Sequence, residues 1–354
     1  MTSEGDPSVG GVIKLRSDTE TLPTPRMYEA MVSAPIGDDT YFEDPTVIQL
    51  EERVAELMGK EAALLVLSGT MANVVALMTW CRPGDEMFVD VSAHVVNSEA
   101  GGYGGVAGVV PRFIDGERGH PKPSALQAAV LPRDVHRPRP RLLWLENTNN
   151  RAGGTVMSLD HHRQVTRVAH EASLIVHLDG ARIFNAARAI GVPPAALAED
   201  VDSVYVDLTK GLACPMGALL AGSADFIEEA RHTRRRIGGG MRQAGVFAAC
   251  GLVALDDLVD RLDQDHELAR WLAEQIAEIP GYSVDLDSVE TNIVNVDVSE
   301  LGGSVDVVAA FAAEGLAVMA RPPHGIRLVT HLQVDRTQAE MAIRIMEKVA
   351  ADLS

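Results

Sequence analysis

Short apolar runs recur along this chain, separated by stretches long enough to hold a helix. They fall at 63–67, 86–91, 142–146, 174–179, 204–208 and 218–221, and Val, Leu and Ile dominate them. Most are continuously apolar rather than alternating, which marks strands covered on both faces. The intervening segments carry helical spacing instead. In 45–58 the apolar residues are Val47, Leu50, Val54 and Leu57, one stripe of a helix. Asp44 is placed to cap that helix and Pro45 to sit in its first turn, where no hydrogen bond is lost. Helices are also expected at 71–81 and 159–172. Strand and helix in alternation predict an α/β fold built on a doubly wound, mostly parallel sheet.

The pattern changes after Gly238-Gly239-Gly240. A long apolar helix is expected at 243–258 and one with polar faces at 263–279. Strands at 293–298 and 326–329 and a terminal helix at 337–351 follow. The expected organisation is therefore a loose polar tail at 1–12, a large domain at 13–250 and a smaller α+β domain at 251–354. Residues 35–44 (PIGDDTYFED) are turn-forming and read as a loop.

Two of the apolar runs end in residues suited to one chemistry. The first closes on Leu178-Asp179-Gly180-Ala181-Arg182, and the second on Asp207-Leu208-Thr209-Lys210. Ligands in open α/β sheets bind beyond the carboxyl ends of the strands. A pyridoxal cofactor needs a lysine for covalent attachment and a carboxylate to keep its ring nitrogen protonated. Taken singly, a strand-end lysine is more often a solvated loop residue and such an aspartate a helix cap. Together they carry more weight, because the residues between them fit a helical crossover.

Other motifs are weaker alone. Ser68-Gly69-Thr70 joins a strand to a helix, where free N–H groups attract anions; a plain helix cap would look the same. His94 follows a strand and could stack on a flat cofactor or move protons, although most such histidines are structural. Residues 101–108 partly match a dinucleotide fingerprint, but no strand leads into them and they read as a Gly-rich loop. His161 and His162 point to different faces of one helix, which argues against a metal pair there, and no metal-ligating residue is assigned elsewhere. The run His232-Thr233-Arg234-Arg235-Arg236, together with Arg231, is either a solvated face or a local anion site. Arg327, in a late strand and followed by His331, could clamp a carboxylate at two points.

Composition narrows the partners. The chain has 354 residues, 46% of them hydrophobic and 23% charged, with a formal charge of −19. Such an acidic chain is not expected to bind nucleic acid or an anionic membrane surface. Cys81, Cys214 and Cys250 form no CxxC pair, which fits a reducing cytoplasm. No basic-then-apolar leader and no uncharged bilayer-length stretch is expected.

In order along the chain, several segments resemble those of the L-threonine aldolases, pyridoxal-phosphate enzymes of fold type I in the β-eliminating lyase group. They are LRSDTETLPTPRM at 15–27, GDDTYFEDPTVIQLEERVAELMGKEAAL at 37–64, SGTMAN at 68–73 and ENTNNRAGG at 146–154. HLDGARIFNAA at 177–187, LTKGL at 208–212, GGGMRQAG at 238–245 and IRLVTH at 326–331 complete the match. The resemblance implies an aspartate aminotransferase-like fold with a seven-stranded, mostly parallel sheet and a small C-terminal domain. It implies pyridoxal 5′-phosphate carried by Lys210, with Asp179 at the pyridine nitrogen and His94 over the ring. Ser68, Gly69 and Thr70 would hold the phosphate. Ser17, Arg182 and Arg327 would bind the substrate carboxylate, and His94 and His136 would lie near the substrate hydroxyl. A homotetramer built as a dimer of dimers is also implied.

Four positions depart from the pattern: Thr209 for a usual Ser, Asn149 for the His of ENTH, Phe42 for a Gly and Arg235 for a Lys. Phe42, Asn149 and Arg235 are expected to bear on the site entrance or on substrate preference. The implied reaction cleaves L-threonine, L-allo-threonine or a related β-hydroxy-α-amino acid to glycine and an aldehyde. A β-eliminating lyase and a threonine transaldolase are the alternatives, and a catalytically idle binding protein is disfavoured by the intact Lys210 and Asp179.

Overall fold

The central sheet of the larger unit has seven strands, which the computed structural model, describing residues 11–353, places as β1 Ala62–Val66, β2 Asp85–Asp90, β3 Val110–Ile114, β4 Arg139–Glu146, β5 Ile175–Gly180, β6 Ser203–Asp207 and β7 Ala218–Gly222. Their spatial order is β1-β7-β6-β5-β4-β2-β3. Pairings are parallel except for β7, which runs against both β1 and β6. This is the mostly parallel sheet that the apolar runs imply. Residues of β6 and β7 are buried throughout, as expected when helices cover both faces.

The helices begin where their capping chemistry dictates. Asp44 accepts from the N–H groups of Thr46 (3.2 Å) and Val47 (3.1 Å), and Pro45 opens Pro45–Met58. That helix stops at Gly59, in the left-handed region at φ 63°. Glycine reaches that region without a Cβ clash. Ser68, Ser158 and Ser223 cap Gly69–Trp80, Leu159–Glu171 and Ala224–Arg236 through their hydroxyls. The terminal strand β3 and the helices Ile183–Ile190 and Ala224–Arg236 were not evident from periodicity. β3 is an edge strand with Val110 and Phe113 exposed, so it lacks a continuous apolar run. The Gly-rich stretch at 101–108 is not all loop; Gly102–Gly105 form one helical turn.

Two compact units divide the chain: Leu22–Leu262, and residues 11–21 with 263–353. The apolar pattern set the division near 250. The helix Gly245–Asp257 groups with the larger unit because it packs on Pro25–Ser33 and Pro45–Met58. Ile13 and Leu15 are buried in the core of the smaller unit, and Ile13–Lys14 pair in parallel with Leu316–Ala317. That unit holds an antiparallel sheet of β8 Ile293–Asp297, β9 Met319–Arg321 and β10 Gly325–Val329, ordered β8-β10-β9. Helices Leu262–Ala277, Ser304–Ala313 and Arg336–Leu353 contribute to its core. Residues 1–10 of the expected tail lie outside the described residues.

The basic run is a solvated face only in part: His232, Arg235 and Arg236 are exposed, while Thr233 and Arg234 are buried. Arg234 is buried and donates to Asp39 Oδ2 (2.7 Å) and to the Leu65 carbonyl (2.6 Å). Arg231 pairs with Glu51 (3.0 Å), and the other Glu51 oxygen accepts from the Leu65 N–H at 2.8 Å. The Arg231 guanidinium also lies 4.8 Å from the centre of the Phe42 ring. Phe42 takes φ 58°, the left-handed region that glycine suits, and the cation–π contact offsets part of that strain. These pairs tie the loop at 38–44 to the edge of the sheet. Arg234→Leu should leave the buried Asp39 with only the longer Arg231 contact at 3.8 Å and destabilise the protein by about 3 kcal/mol. Urea unfolding at fixed protein concentration measures it; a loss within the error of the extrapolation would mean the pair is dispensable.

Candidate active site

Glu146, Asp179 and Tyr205 are register partners across three adjacent strands, Glu146 opposite Asp179 and Asp179 opposite Tyr205. The strand ends of β4, β5 and β6 therefore deliver a row of polar groups to one edge of the sheet. All three residues are buried. Asp207 closes β6, and Lys210 follows it.

Lys210 Nζ lies 3.2 Å from Asp207 Oδ2 and 5.9 Å from the centre of the Tyr205 ring. Asp207 also accepts from the Tyr205 hydroxyl, from Thr209 N (2.6 Å) and from Thr209 Oγ1 (2.7 Å). Burial pushes the Asp207 carboxyl up, but the Lys210 ammonium and these donors outweigh it and hold the group below its ordinary range. Burial raises the Tyr205 hydroxyl well above its usual value, with the Asp207 charge adding to the shift. Thr209 keeps the hydroxyl that the family's serine would supply at this position, which is why this departure is absorbed.

Gly69 opens the helix Gly69–Trp80, with Ser68 as its cap. A Cβ at Gly69 would overlap the Tyr205 hydroxyl, so only glycine admits this approach. The first turn brings backbone N–H groups to the strand ends, where a phosphate would be favoured. One turn further in, Asn73 Nδ2 donates to Asp179 Oδ2 (3.0 Å) and to Glu99 Oε1 (2.7 Å). The second Asp179 oxygen accepts from Ala181 N at 3.0 Å. Arg182, half a turn on, is buried and forms the N-cap of Ile183–Ile190.

His94 starts a short helix after β2. Its Nδ1 lies 2.8 Å from Glu99 Oε1, and its backbone N–H donates to Glu146 Oε2 at 2.6 Å. The other Glu146 oxygen accepts from Asn150 N at 2.8 Å. Burial lowers the His94 pKa, but the hydrogen bond to Glu99 and the charges of Asp179, Glu99 and Glu146 raise it further, to a net value above the ordinary one. Glu146 is pushed up to about 7 by burial, with the Asp179 charge adding to it against the two amide donors and His94.

Lys210, Ser68, Gly69, Thr70, His94, Asp179 and Arg182 thus belong to one edge of the larger unit. His136 does not join them within the chain. It is exposed in the turn before Arg139, at the opposite end of β4 from Glu146, with its N–H on Asp134 Oδ1 (2.8 Å). In the smaller unit, Arg327 is buried and donates to the Arg16 carbonyl at 3.1 Å, next to Ser17. Ser17 Oγ accepts from Thr19 N and Thr19 Oγ1 there. His331 bonds the Lys14 carbonyl at 2.8 Å and is structural. Asn149 is fully buried and packs on Gly119, with Oδ1 on Ala152 N (2.9 Å), so it shapes a loop core rather than an entrance. His161 bonds the Pro121 carbonyl (2.8 Å), and His162 is buried with its pKa pushed down to about 4 by burial.

Sequence inspection passed over Asn73, Glu99, Glu146, Tyr205 and Asp207. The signal for two of them was present: Glu146 and Asp207 also end apolar runs, as Asp179 does. Asn73 and Glu99 sit inside helical and loop segments, where a polar residue carries no such mark.

The beta-eliminating lyase family profile matches residues 14–299. This chain belongs to that family. It is 39% identical over 349 residues to a probable low-specificity L-threonine aldolase of Arabidopsis thaliana, covering 97% of this chain and 98% of the relative. It is 41% identical over 333 residues to the low specificity L-threonine aldolase of Escherichia coli K12, covering 94% and 97%. Among solved structures, a threonine aldolase of Leishmania major superposes with a TM-score of 0.81 at 18% identity, over 95% of this chain and 98% of that one. A likeness at that identity speaks for the fold, which is that of the fold type I enzymes.

The donor set fits a pyridoxal cofactor. An amine, a buried carboxylate held by two donors and a glycine-opened helix start converge here. Carboxylates outnumber cations among these buried groups, which favours a protonated ring nitrogen over a neutral one.

Glu146 yields a pH test. Its folded pKa of about 7 exceeds the ordinary 4.5, so between those values the folded protein holds a proton that the unfolded chain has released. Stability must therefore fall as pH rises through this window, by up to about 3 kcal/mol from this group. Measured against Glu146→Gln, which cannot titrate, the wild-type protein should lose ground between pH 5 and pH 8. A stability difference that is the same at both values would refute the shift.

Proposed function

We propose that this chain is a pyridoxal-phosphate-dependent aldolase. It cleaves L-threonine, L-allo-threonine and related β-hydroxy-α-amino acids to glycine and an aldehyde. The observation that carries this reading is the convergence of Lys210 and Asp179 at neighbouring strand ends, in a chain whose relatives are low-specificity L-threonine aldolases. When bound, the cofactor supplies an electron sink for the pair released as the carbon–carbon bond breaks.

The chain's own residues supply the rest. Lys210 would hold the cofactor through its amine, which Asp207 positions at 3.2 Å. Asp179, anchored by Asn73 and Ala181, holds the ring nitrogen protonated. Ser68, Gly69 and Thr70 receive the phosphate at the helix start. Arg182 offers a buried guanidinium for the substrate carboxylate. His94 has Nδ1 committed to Glu99, which leaves Nε2 to take the proton from the substrate hydroxyl. As that proton leaves, the Cα–Cβ bond breaks, the aldehyde carbonyl forms and Cα is protonated to give glycine. His136 is given no role in the site of its own chain.

Incubation with L-threonine should release glycine and acetaldehyde in equal amounts, and Lys210→Ala should reduce this by more than about a hundredfold. Ammonia and a 2-oxo acid in their place would mean elimination and would overturn the aldolase reading.

A homo-oligomer, specifically a tetramer built from two dimers, forms part of this reading. Its support is the set of exposed large apolar side chains between residues 22 and 42: Leu22, Tyr28, Val32, Ile36, Tyr41 and Phe42, with Val32 at 90% exposure. So many apolar side chains in one short segment suit a partner better than water. Sedimentation should show four copies, and an active monomer would count against it. A cytoplasmic setting is supported by the three cysteines, all buried and unbridged. No helix among the described residues is long and apolar enough to cross a membrane.

A further inference from the structure

Glu99 receives two donors on a single oxygen. Asn73 Nδ2 reaches Oε1 at 2.7 Å and His94 Nδ1 at 2.8 Å, and the residue is 5% exposed. Asn73 uses its second N–H on Asp179 Oδ2 at 3.0 Å. The amide is thus pinned between two carboxylates, and only its NH2 group can face both of them. A histidine nitrogen set against a carboxylate must likewise carry its proton. One unbroken chain of hydrogen bonds therefore runs from His94 through Glu99 and Asn73 to Asp179.

We propose that Glu99 is a positioning residue, which fixes the proton of His94 on Nδ1 and ties that ring, through Asn73, to the carboxylate of Asp179. The inference rests on the site reading above and deepens it. With Nδ1 occupied, Nε2 alone is left to exchange protons with substrate. The coupling also means that His94 and Asp179 cannot shift independently, since each holds one end of the same bridge. Charged groups reach His94 from three directions. Glu99 comes from the turn after its own helix, Glu146 from the end of β4 and Asp179 from the end of β5. Of these, only Glu99 touches the ring, so its removal is separable from the other two.

The test uses the cofactor-loaded protein labelled with ¹⁵N-histidine, with His94 assigned by loss of its signals in His94→Gln. Loading is followed by cofactor absorbance. Long-range proton–nitrogen spectra report which ring nitrogen carries the proton, and a pH series gives the pKa. In wild type, the neutral ring should carry its proton on Nδ1. Glu99→Gln keeps an acceptor oxygen but loses the charge, so the proton should stay on Nδ1 while the pKa falls by about one unit or more. Glu99→Leu removes the acceptor, and the preference for Nδ1 should vanish.

A wild-type ring protonated on Nε2, or a pKa unchanged in Glu99→Gln, would overturn the inference even where Glu99→Leu fails to fold. Wild-type protein that does not take up the cofactor would instead overturn the site reading on which the inference rests.

Discussion

A carboxylate shut away from water stays charged only if donors meet it, and this constraint organises the larger unit. The strands β4 and β6 end in Glu146 and Asp207, Asp179 is the last residue but one of β5, and Glu99 lies within the same network. Each demands partners, and the surrounding elements are arranged to supply them. The first helix after β1 brings Asn73. The turn after β5 brings the Ala181 N–H. The segment after β6 folds back so that Thr209 and Lys210 both face Asp207. Removing any of these donors would leave a buried charge exposed to a low dielectric, at a cost comparable to a large part of the total stability.

Donor supply also explains why two strand-end acids behave in opposite ways. Asp207 is met by an ammonium, a phenol and a threonine through both its N–H and its hydroxyl, and its pKa falls. Glu146 is equally buried but receives only two backbone amides, and it faces Asp179, so its pKa rises to about 7. Both close their strands, Glu146 level with Tyr205 and Asp207 two residues beyond it. Cations and hydroxyls were placed beside one and a second carboxylate beside the other. A single sheet edge can in this way hold one acid firmly ionised and another near neutrality, which is what separate roles in proton handling require.

How much of this was legible beforehand follows from the range of the interactions. The strands of the sheet show as apolar runs because burial on both faces is a local compositional demand; β3 escapes because an edge strand does not share it. Lys210 and Asp179 were legible because strand-end position is itself readable. Glu99 and Asn73 were not, because their meaning lies in 26- and 106-residue separations that no local pattern reports. The basic run at 231–236 was ambiguous for the same reason. Its buried partner Asp39 lies 195 residues from Arg234. The placement of residues 11–21 with the C-terminal segment is likewise a long-range pairing, Ile13 with Leu316, invisible to periodicity.

The departures from the family's pattern sort by the same physics. Thr209 retains the hydroxyl that Asp207 needs, so the added methyl changes little. Asn149 is buried against Gly119, where a Cβ on the glycine would overlap its amide; each requires the other to be small or flat. Phe42 is the harder case, since its left-handed backbone is one that a bulky side chain resists by about 1–2 kcal/mol. Arg231 stacks on its ring while pairing with Glu51. The strain of the one residue is thus set against a buried ion pair that the loop at 38–44 already needs through Asp39. A glycine at 42 would relieve the backbone but leave that face of Arg231 uncovered, so Phe42 and Arg231 are one structural solution, whereas Arg235 is exposed and stands apart from it.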